Sequence, residues 1–172
     1  MNKRNYISLA NKAANIQINE LKKVKKIFNS SFIEAVDLIL NCKGKVIFAG
    51  IGKSGLIARK ISATFSSVGI PSFFCDPAQA LHGDMGQIEK KDILIIFSYS
   101  GNTSELTNML KYANRYRIKI IGVASKSDST LLKASDIKLL LPKVKEADVT
   151  GMWPPTSTTI TLLLGDCLAT TV

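Results

Sequence analysis

The chain has 172 residues, of which 46% are hydrophobic and 21% charged, and a net charge of +10; that length carries one well-buried domain and excludes two full ones. No apolar run approaches the roughly 20 residues of a membrane span, the N-terminal stretch lacks the apolar core of a signal peptide, and Cys42, Cys75 and Cys167 are widely spaced without a C-x-x-C, so a cytoplasmic, globular chain with reduced thiols and no membrane partner is expected. Nucleic acid is not the expected partner of the positive charge, because the dense run Lys22-Lys23-Val24-Lys25-Lys26 has the spacing of a solvated helix face and no aromatic residues interleave with it.

In chain order, residues 9–28 read as an amphipathic helix. A second helix begins at Ser31, whose hydroxyl forms a capping box with Glu34. The pair needs a partner surface for Phe32, Val36, Ile39 and Leu40, on the body of the fold or on another subunit. Residues 46–49 then form a continuously apolar first strand, as in a parallel sheet covered on both faces. A glycine-rich loop, residues 50–55, follows it, and the next helix carries its apolar stripe at Ile57, Ile61, Phe65 and Val68. Unpaired N–H groups at that helix start make a seat for a phosphate ester. A Walker A loop is excluded because Ile47 stands where its first glycine belongs. The dinucleotide fingerprint G-x-G-x-x-G is matched by Gly50, Gly52 and Gly55, with Asp76 about 20 residues further on. Spacing leaves that reading open, but it gives no role to the polar loop after the third strand. A turn whose glycines only relieve crowding is the plainer alternative, against which stand the charge of Lys53 and the hydroxyl of Ser54 in the same turn.

Residues 72–75 form the second strand, followed by a long irregular passage, DPAQALHGDMGQIEKKD, that contains His82, the only histidine. The third strand, residues 93–97, runs into Ser98-Tyr99-Ser100-Gly101-Asn102-Thr103-Ser104-Glu105. An N-cap needs one hydroxyl residue and this loop has four, so Ser98, Ser100 and Thr103 are available to an anion, ahead of a helix with its stripe at Leu106, Met109, Leu110 and Ala113. A fourth strand at 119–123, a short helix at 129–134 and a fifth strand at 137–141 complete the alternation. Pro154-Pro155 is expected to stop regular structure, with Thr156 or Ser157 capping a last helix. Because the apolar helical pattern is still running at Val172, part of the natural chain is expected beyond it. Strands alternating with helices predict an α/β three-layer sandwich with a five-stranded parallel sheet in the order 2-1-3-4-5, preceded by an N-terminal helical pair. In that order the loops after strands one and three meet at the switch point, where ligands bind.

Those two loops together resemble the sugar isomerase (SIS) domain, and within it the arabinose 5-phosphate isomerases. The likeness is carried by GKSG at 52–55, PSFF at 71–74, LHGDMG at 81–86, SGNTSE at 100–105, KEA at 145–147, TSTT at 156–159 and LGD at 164–166. It divides the chain into a helical pair at 1–42 and a phosphosugar-binding SIS domain at 43–172. The resemblance implies interconversion of D-ribulose 5-phosphate and D-arabinose 5-phosphate through an enediolate, feeding 3-deoxy-octulosonate and lipopolysaccharide synthesis, with no metal or cofactor. It implies catalytic positions at Lys53, Glu105 and Glu146. Gly52, Ser54, His82, Ser98, Ser100, Gly101, Asn102 and Thr103 are expected to line the sugar phosphate. A homo-oligomer, a tetramer by the same resemblance, is expected. The residue types suit the chemistry: a carboxylate can shuttle the proton beside the carbonyl and a lysine can stabilise the developing oxyanion.

The chain also departs from the family. Leu56 and Asp76 stand where histidines are usual and Gln79 where a glutamate is usual, which weakens a metal site. The family's C-P-L-G-L-A-P is replaced by residues 148–154, DVTGMWP. The family has a catalytic histidine in an S-H-P-G-G stretch after the last helix and often two CBS domains beyond it; neither is in this sequence, and full activity is expected to need a continuation past Val172. The alternatives are a non-catalytic SIS sensor of phosphosugars, disfavoured because residues 1–42 show no recognition helix, or another SIS phosphosugar isomerase.

Overall fold

Every residue of β1 (Val46–Gly50) and β3 (Ile93–Phe97) is buried, because helices cover both faces of the sheet these strands centre. The structure is a computed structural model that describes residues 3–172, so the first two residues of the 1–42 segment lie outside the described residues. With β2 (Ser72–Phe74), β4 (Lys119–Ala124) and β5 (Ile137–Leu140), the strands form one parallel sheet in the order β2-β1-β3-β4-β5. Gly50 pairs with Phe97, so β1 and β3 end side by side and their loops leave from neighbouring points.

The two-residue period of the strands divides the core. Val46, Phe48, Ile95, Phe97 and Val123 face a layer containing α3 (Lys53–Ser67) and α7 (Pro155–Thr171). Ile47, Ala49, Leu94, Ile96 and Ile120 face α5 (Thr107–Tyr116) and α6 (Thr130–Ala134). Phe48 anchors the first layer, edge-on to Phe65 at 4.9 Å and stacked on Phe97 at 6.3 Å. Leu106, Met109, Leu110 and Ala113 are all buried, as their spacing predicts. On α3 the stripe is Ala58, Ile61 and Phe65, while Val68 is exposed.

The N-terminal helices differ from expectation in two ways, a 3₁₀ turn and a different cap, and take the first of the two expected partner surfaces. Regular helix covers α1 (Lys3–Leu21) and then tightens into a 3₁₀ turn, Lys22–Ile27. Val24 and Ile27 are the buried residues of that turn, and their spacing of three matches three residues per turn. The cap of α2 (Ser30–Leu40) is Asn29, whose side chain accepts from Ser31 N at 3.0 Å, so Ser31 lies inside the helix and there is no Ser31–Glu34 box. Val24, Ile27, Phe32, Ala35 and Ile39 join the core of the α3–α7 layer, so these helices pack on the body of the fold.

Three later expectations are also corrected. The passage after β2 holds a short helix, α4 (Pro77–Ala80), capped by Asp76, and a 3₁₀ turn at Asp84–Gln87. Pro155 opens α7 rather than blocking it, because proline at the first helical position loses only an N–H that has no intrahelical partner. Neither Thr156 nor Ser157 is the cap of α7; both lie within the helix.

Candidate active site

The loop between β1 and α3 is shaped by its glycines. Gly52 has φ +59°, and a Cβ on Gly55 would stand 2.6 Å from the Gly50 carbonyl oxygen. The left-handed backbone accounts for Gly52 and close backbone approach for Gly55. Asp76, the acid expected of a dinucleotide site, uses Oδ1 to accept from Ala78 N at 2.9 Å and cap α4. Lys53 is the first residue of α3, which has no acid in its first turn. A cation there sits at the positive end of the helix dipole, an arrangement that costs stability and favours an arriving anion.

The serine loop after β3 divides its labour. Ser98 is buried, its hydroxyl 2.8 Å from Thr103 Oγ1 and accepting from Gly101 N at 3.1 Å. The Gly101 carbonyl accepts from Leu131 N at 2.9 Å, and Asn102 Oδ1 accepts from Thr130 N at 2.9 Å. Ser98, Gly101, Asn102 and Thr103 thus hold the loop's shape and dock it on α6.

A cavity of about 380 Å³ lies where these loops meet α7. Lys53, Ser54, Tyr99, Ser100 and Glu146 line it, with Ser157, Thr158 and Thr161 of α7 opposite and Ile51, Ile57 and Pro154 as apolar wall. Glu146 is half-buried, and its carboxylate accepts from Thr156 N at 2.7 Å and from Ser157 N at 3.3 Å. It therefore supplies from ten residues away the acceptor that α7 lacks at its own start.

Of the residues named from sequence, Lys53, Ser54, Ser100 and Glu146 are brought around one cavity. Gly52 shapes the adjoining turn. Glu105 does not line the cavity: it is exposed, and the Ser104 hydroxyl at 2.8 Å, with its own backbone amide, holds its carboxyl below the usual range. His82 is likewise exposed, on the turn after α4, and lines none of this cavity. Tyr99, Ser157, Thr158 and Thr161 were not singled out as site residues. The run TSTTIT at 156–161 carries a usable signal, since 157 and 161 fall on one helix face at a spacing of four. Among the described residues no three His, Cys, Asp or Glu side chains lie together as a metal site would require.

The turn that replaces the family's C-P-L-G-L-A-P is organised by Asp148. Its carboxylate accepts from the Thr150 hydroxyl at 2.7 Å, Thr150 N at 3.0 Å, Met152 N at 2.7 Å and Trp153 N at 3.3 Å. Burial pushes this carboxyl up, but the Thr150 hydroxyl and the three amides outweigh it and hold it at about 2. A depressed folded value contributes order that is complete above the ordinary 3.8 and is lost as pH falls through about 2. Trp153 is the only tryptophan, so its fluorescence reports the turn. Emission is expected to stay constant from pH 7 to 4 and change only toward pH 2, whereas Asp148→Asn shows the altered emission already at pH 7. A wild-type transition centred near 4, or an unaltered Asn variant, would refute this role.

An open parallel α/β sheet with its cavity at the switch point between two loops defines a doubly wound fold, the class whose ligands bind beyond the carboxyl ends of the strands. The SIS domain model matches residues 39–171, and the chain belongs to that family. It is 41% identical over 172 residues to an uncharacterized protein of Rickettsia prowazekii, covering all of this chain and 54% of that protein. It is 40% identical over 149 residues to the arabinose 5-phosphate isomerase KdsD of Escherichia coli K12, covering 87% of this chain and 45% of KdsD. A structure of an Escherichia coli CFT073 protein in complex with arabinose 5-phosphate superposes with a TM-score of 0.94 at 35% identity, over 99% of this chain and 90% of that one. The chain thus spans about half the length of the curated relatives it matches.

Proposed function

We propose that this protein interconverts D-arabinose 5-phosphate and D-ribulose 5-phosphate. The observation that carries the reading is the convergence of Lys53, Ser54, Ser100 and Glu146 on one cavity at the switch point, in a chain so similar to arabinose 5-phosphate isomerases. The phosphate sits between the loops after β1 and β3, against the Ser54 and Ser100 hydroxyls and the start of α3. With the sugar open, the Glu146 carboxylate takes the proton from the carbon beside the carbonyl and returns it to the neighbouring carbon. Lys53 stabilises the negative charge that builds on oxygen in the enediolate. The apolar wall of Ile51, Ile57 and Pro154 keeps bulk water from that intermediate. By family resemblance the product serves 3-deoxy-octulosonate synthesis in the cytoplasm.

Binding and turnover test the reading separately. A panel of sugar phosphates, with a nicotinamide dinucleotide as control, is compared by thermal stabilisation. Arabinose 5-phosphate is expected to raise the melting temperature and the dinucleotide to leave it unchanged. Ser100→Ala removes a hydroxyl that faces the cavity and is expected to weaken sugar phosphate binding about tenfold or more. Thr103→Ala acts only through the bond to Ser98 and is expected to weaken it less. Unchanged affinity in Ser100→Ala would displace the phosphate from this loop. Turnover is measured on the 172-residue chain and, in parallel, on the full product of its natural gene.

A further inference from the structure

Residues 142–147, which carry Glu146 from β5 toward α7, have no helix or strand of their own. Five of their backbone groups bond to side chains from other elements. Val144 N donates to the Tyr99 phenolic oxygen at 3.1 Å, and that hydroxyl donates to the Pro142 carbonyl at 3.4 Å. The next amide, Lys145 N, donates to Glu20 Oε2 of α1 at 2.9 Å. Lys23 holds the same Glu20 oxygen at 2.5 Å and reaches the Lys143 carbonyl at 3.4 Å. On the other side of Glu146, Ala147 N donates to Thr156 Oγ1 at 3.0 Å. A strap without ladder bonds takes its position from such partners: the bonds of the Val144 and Ala147 amides are shielded from water, so losing either leaves an unpaired donor, while the exposed bond of Lys145 to Glu20 ties the strap to α1.

The two amides just before Glu146 are therefore fixed by one residue of the serine loop and one of the N-terminal helix. We propose that Tyr99 and Glu20 are positioning residues for Glu146, setting where its carboxylate stands in the cavity. The proposal rests on the reading of Glu146 as the proton-shuttling carboxylate. Tyr99 is suited to the task because its ring forms cavity wall while its hydroxyl is turned to the strap. Glu20 is suited because its side chain is only 15% exposed and is steadied by Lys23. In this way α1, which contributes no residue to the cavity lining, has a stake in the chemistry. The requirement is strict, since a displacement of about 1 Å at a reacting group can cost about 100-fold in rate.

Tyr99→Phe, which removes only the hydroxyl, and Glu20→Ala are compared with wild type at temperatures where each is folded. Each is expected to lower kcat about tenfold to 100-fold with KM for arabinose 5-phosphate held within about twofold. Glu20→Gln keeps an oxygen for Lys145 N and is expected to restore most of the loss. The double variant is expected to lose less than the product of the two singles, because both partners hold one strap. A readout independent of turnover is the Thr156 amide resonance, which reports the bond to Glu146. It is expected to move upfield in Tyr99→Phe and Glu20→Ala and to return in Glu20→Gln. If wild type does not isomerise arabinose 5-phosphate, the functional reading fails, and the Thr156 resonance still decides the positioning claim. Unchanged kcat and an unmoved Thr156 amide would overturn the proposal. So would a loss confined to melting temperature or KM with that amide in place.

Discussion

Replacing Glu146 with Gln is expected to lower isomerisation about 10²- to 10⁴-fold, the usual worth of a positioned general acid–base group, while sugar phosphate affinity stays near wild type. The amide oxygen of Gln can still accept from Thr156 N, so the start of α7 keeps its partner and the cavity its shape. What Gln cannot do is carry a proton between adjacent carbons. Glu146→Ala removes both capacities. It is expected to add a stability loss of about 0.5–2 kcal/mol, the range seen when a helix N-cap is deleted. The two variants thus separate chemistry from architecture: similar rates but different melting temperatures. Wild-type turnover in Glu146→Gln would remove the proton shuttle from this residue and pass it to Glu105 or His82, which the structure leaves outside the cavity lining.

The parts of this arrangement that were legible in the sequence are those set by neighbours along the chain. The unbroken apolar runs of β1 and β3 signal burial on both faces, and five strands alternating with helices, the second followed by an irregular passage, lead to the order 2-1-3-4-5. The stripe of α5 follows from spacings of three and four. Lys53, Ser54 and Ser100 could be named because they sit in loops whose composition departs from ordinary turns. The missed features are those settled by groups far apart in sequence. Glu146 completes the start of α7, ten residues on, so a search for a local Ser or Thr cap settles on Thr156 or Ser157. Tyr99 reads as filler between two serines until Val144, forty-five residues later, donates to its hydroxyl. Ser98 and Thr103 look like ligand donors on composition, but their hydroxyls face one another across the loop. Val24 and Ile27 show the same limit at smaller scale. Their spacing of three suits an amphipathic helix as well as a 3₁₀ turn, and packing against the body decides for the turn.

Gly101→Ala is expected to be the most damaging single-methyl change in the binding loop, because two independent costs meet at one atom. Gly101 has φ +69°, which costs an L-residue about 1–2 kcal/mol. Its added Cβ would also stand 2.2 Å from Ser129 Oγ and 2.4 Å from Ser129 Cβ, with Ala124 Cβ 3.0 Å away. Ser129 is buried and cannot swing aside, and overpacking of this kind costs about 1–3 kcal/mol more. At about 2–4 °C per kcal/mol for a domain of this size, the melting temperature should fall by roughly 5–15 °C. The loop should also lose its grip on sugar phosphate, since the Gly101 carbonyl and amide fasten it to Leu131 and Ser98 and so present Ser100 to the cavity. The costs can be separated by adding Ser129→Gly, which clears the obstructing atoms and gives up only a few tenths of a kcal/mol of capping on α6. The double variant is expected to recover the overpacking share and keep the backbone share. If it is no more stable than Gly101→Ala alone, the contact with Ser129 is not what excludes a side chain here. If Gly101→Ala itself melts with wild type, the loop takes up a positive-φ alanine without strain, and its glycine has no structural reason to be there.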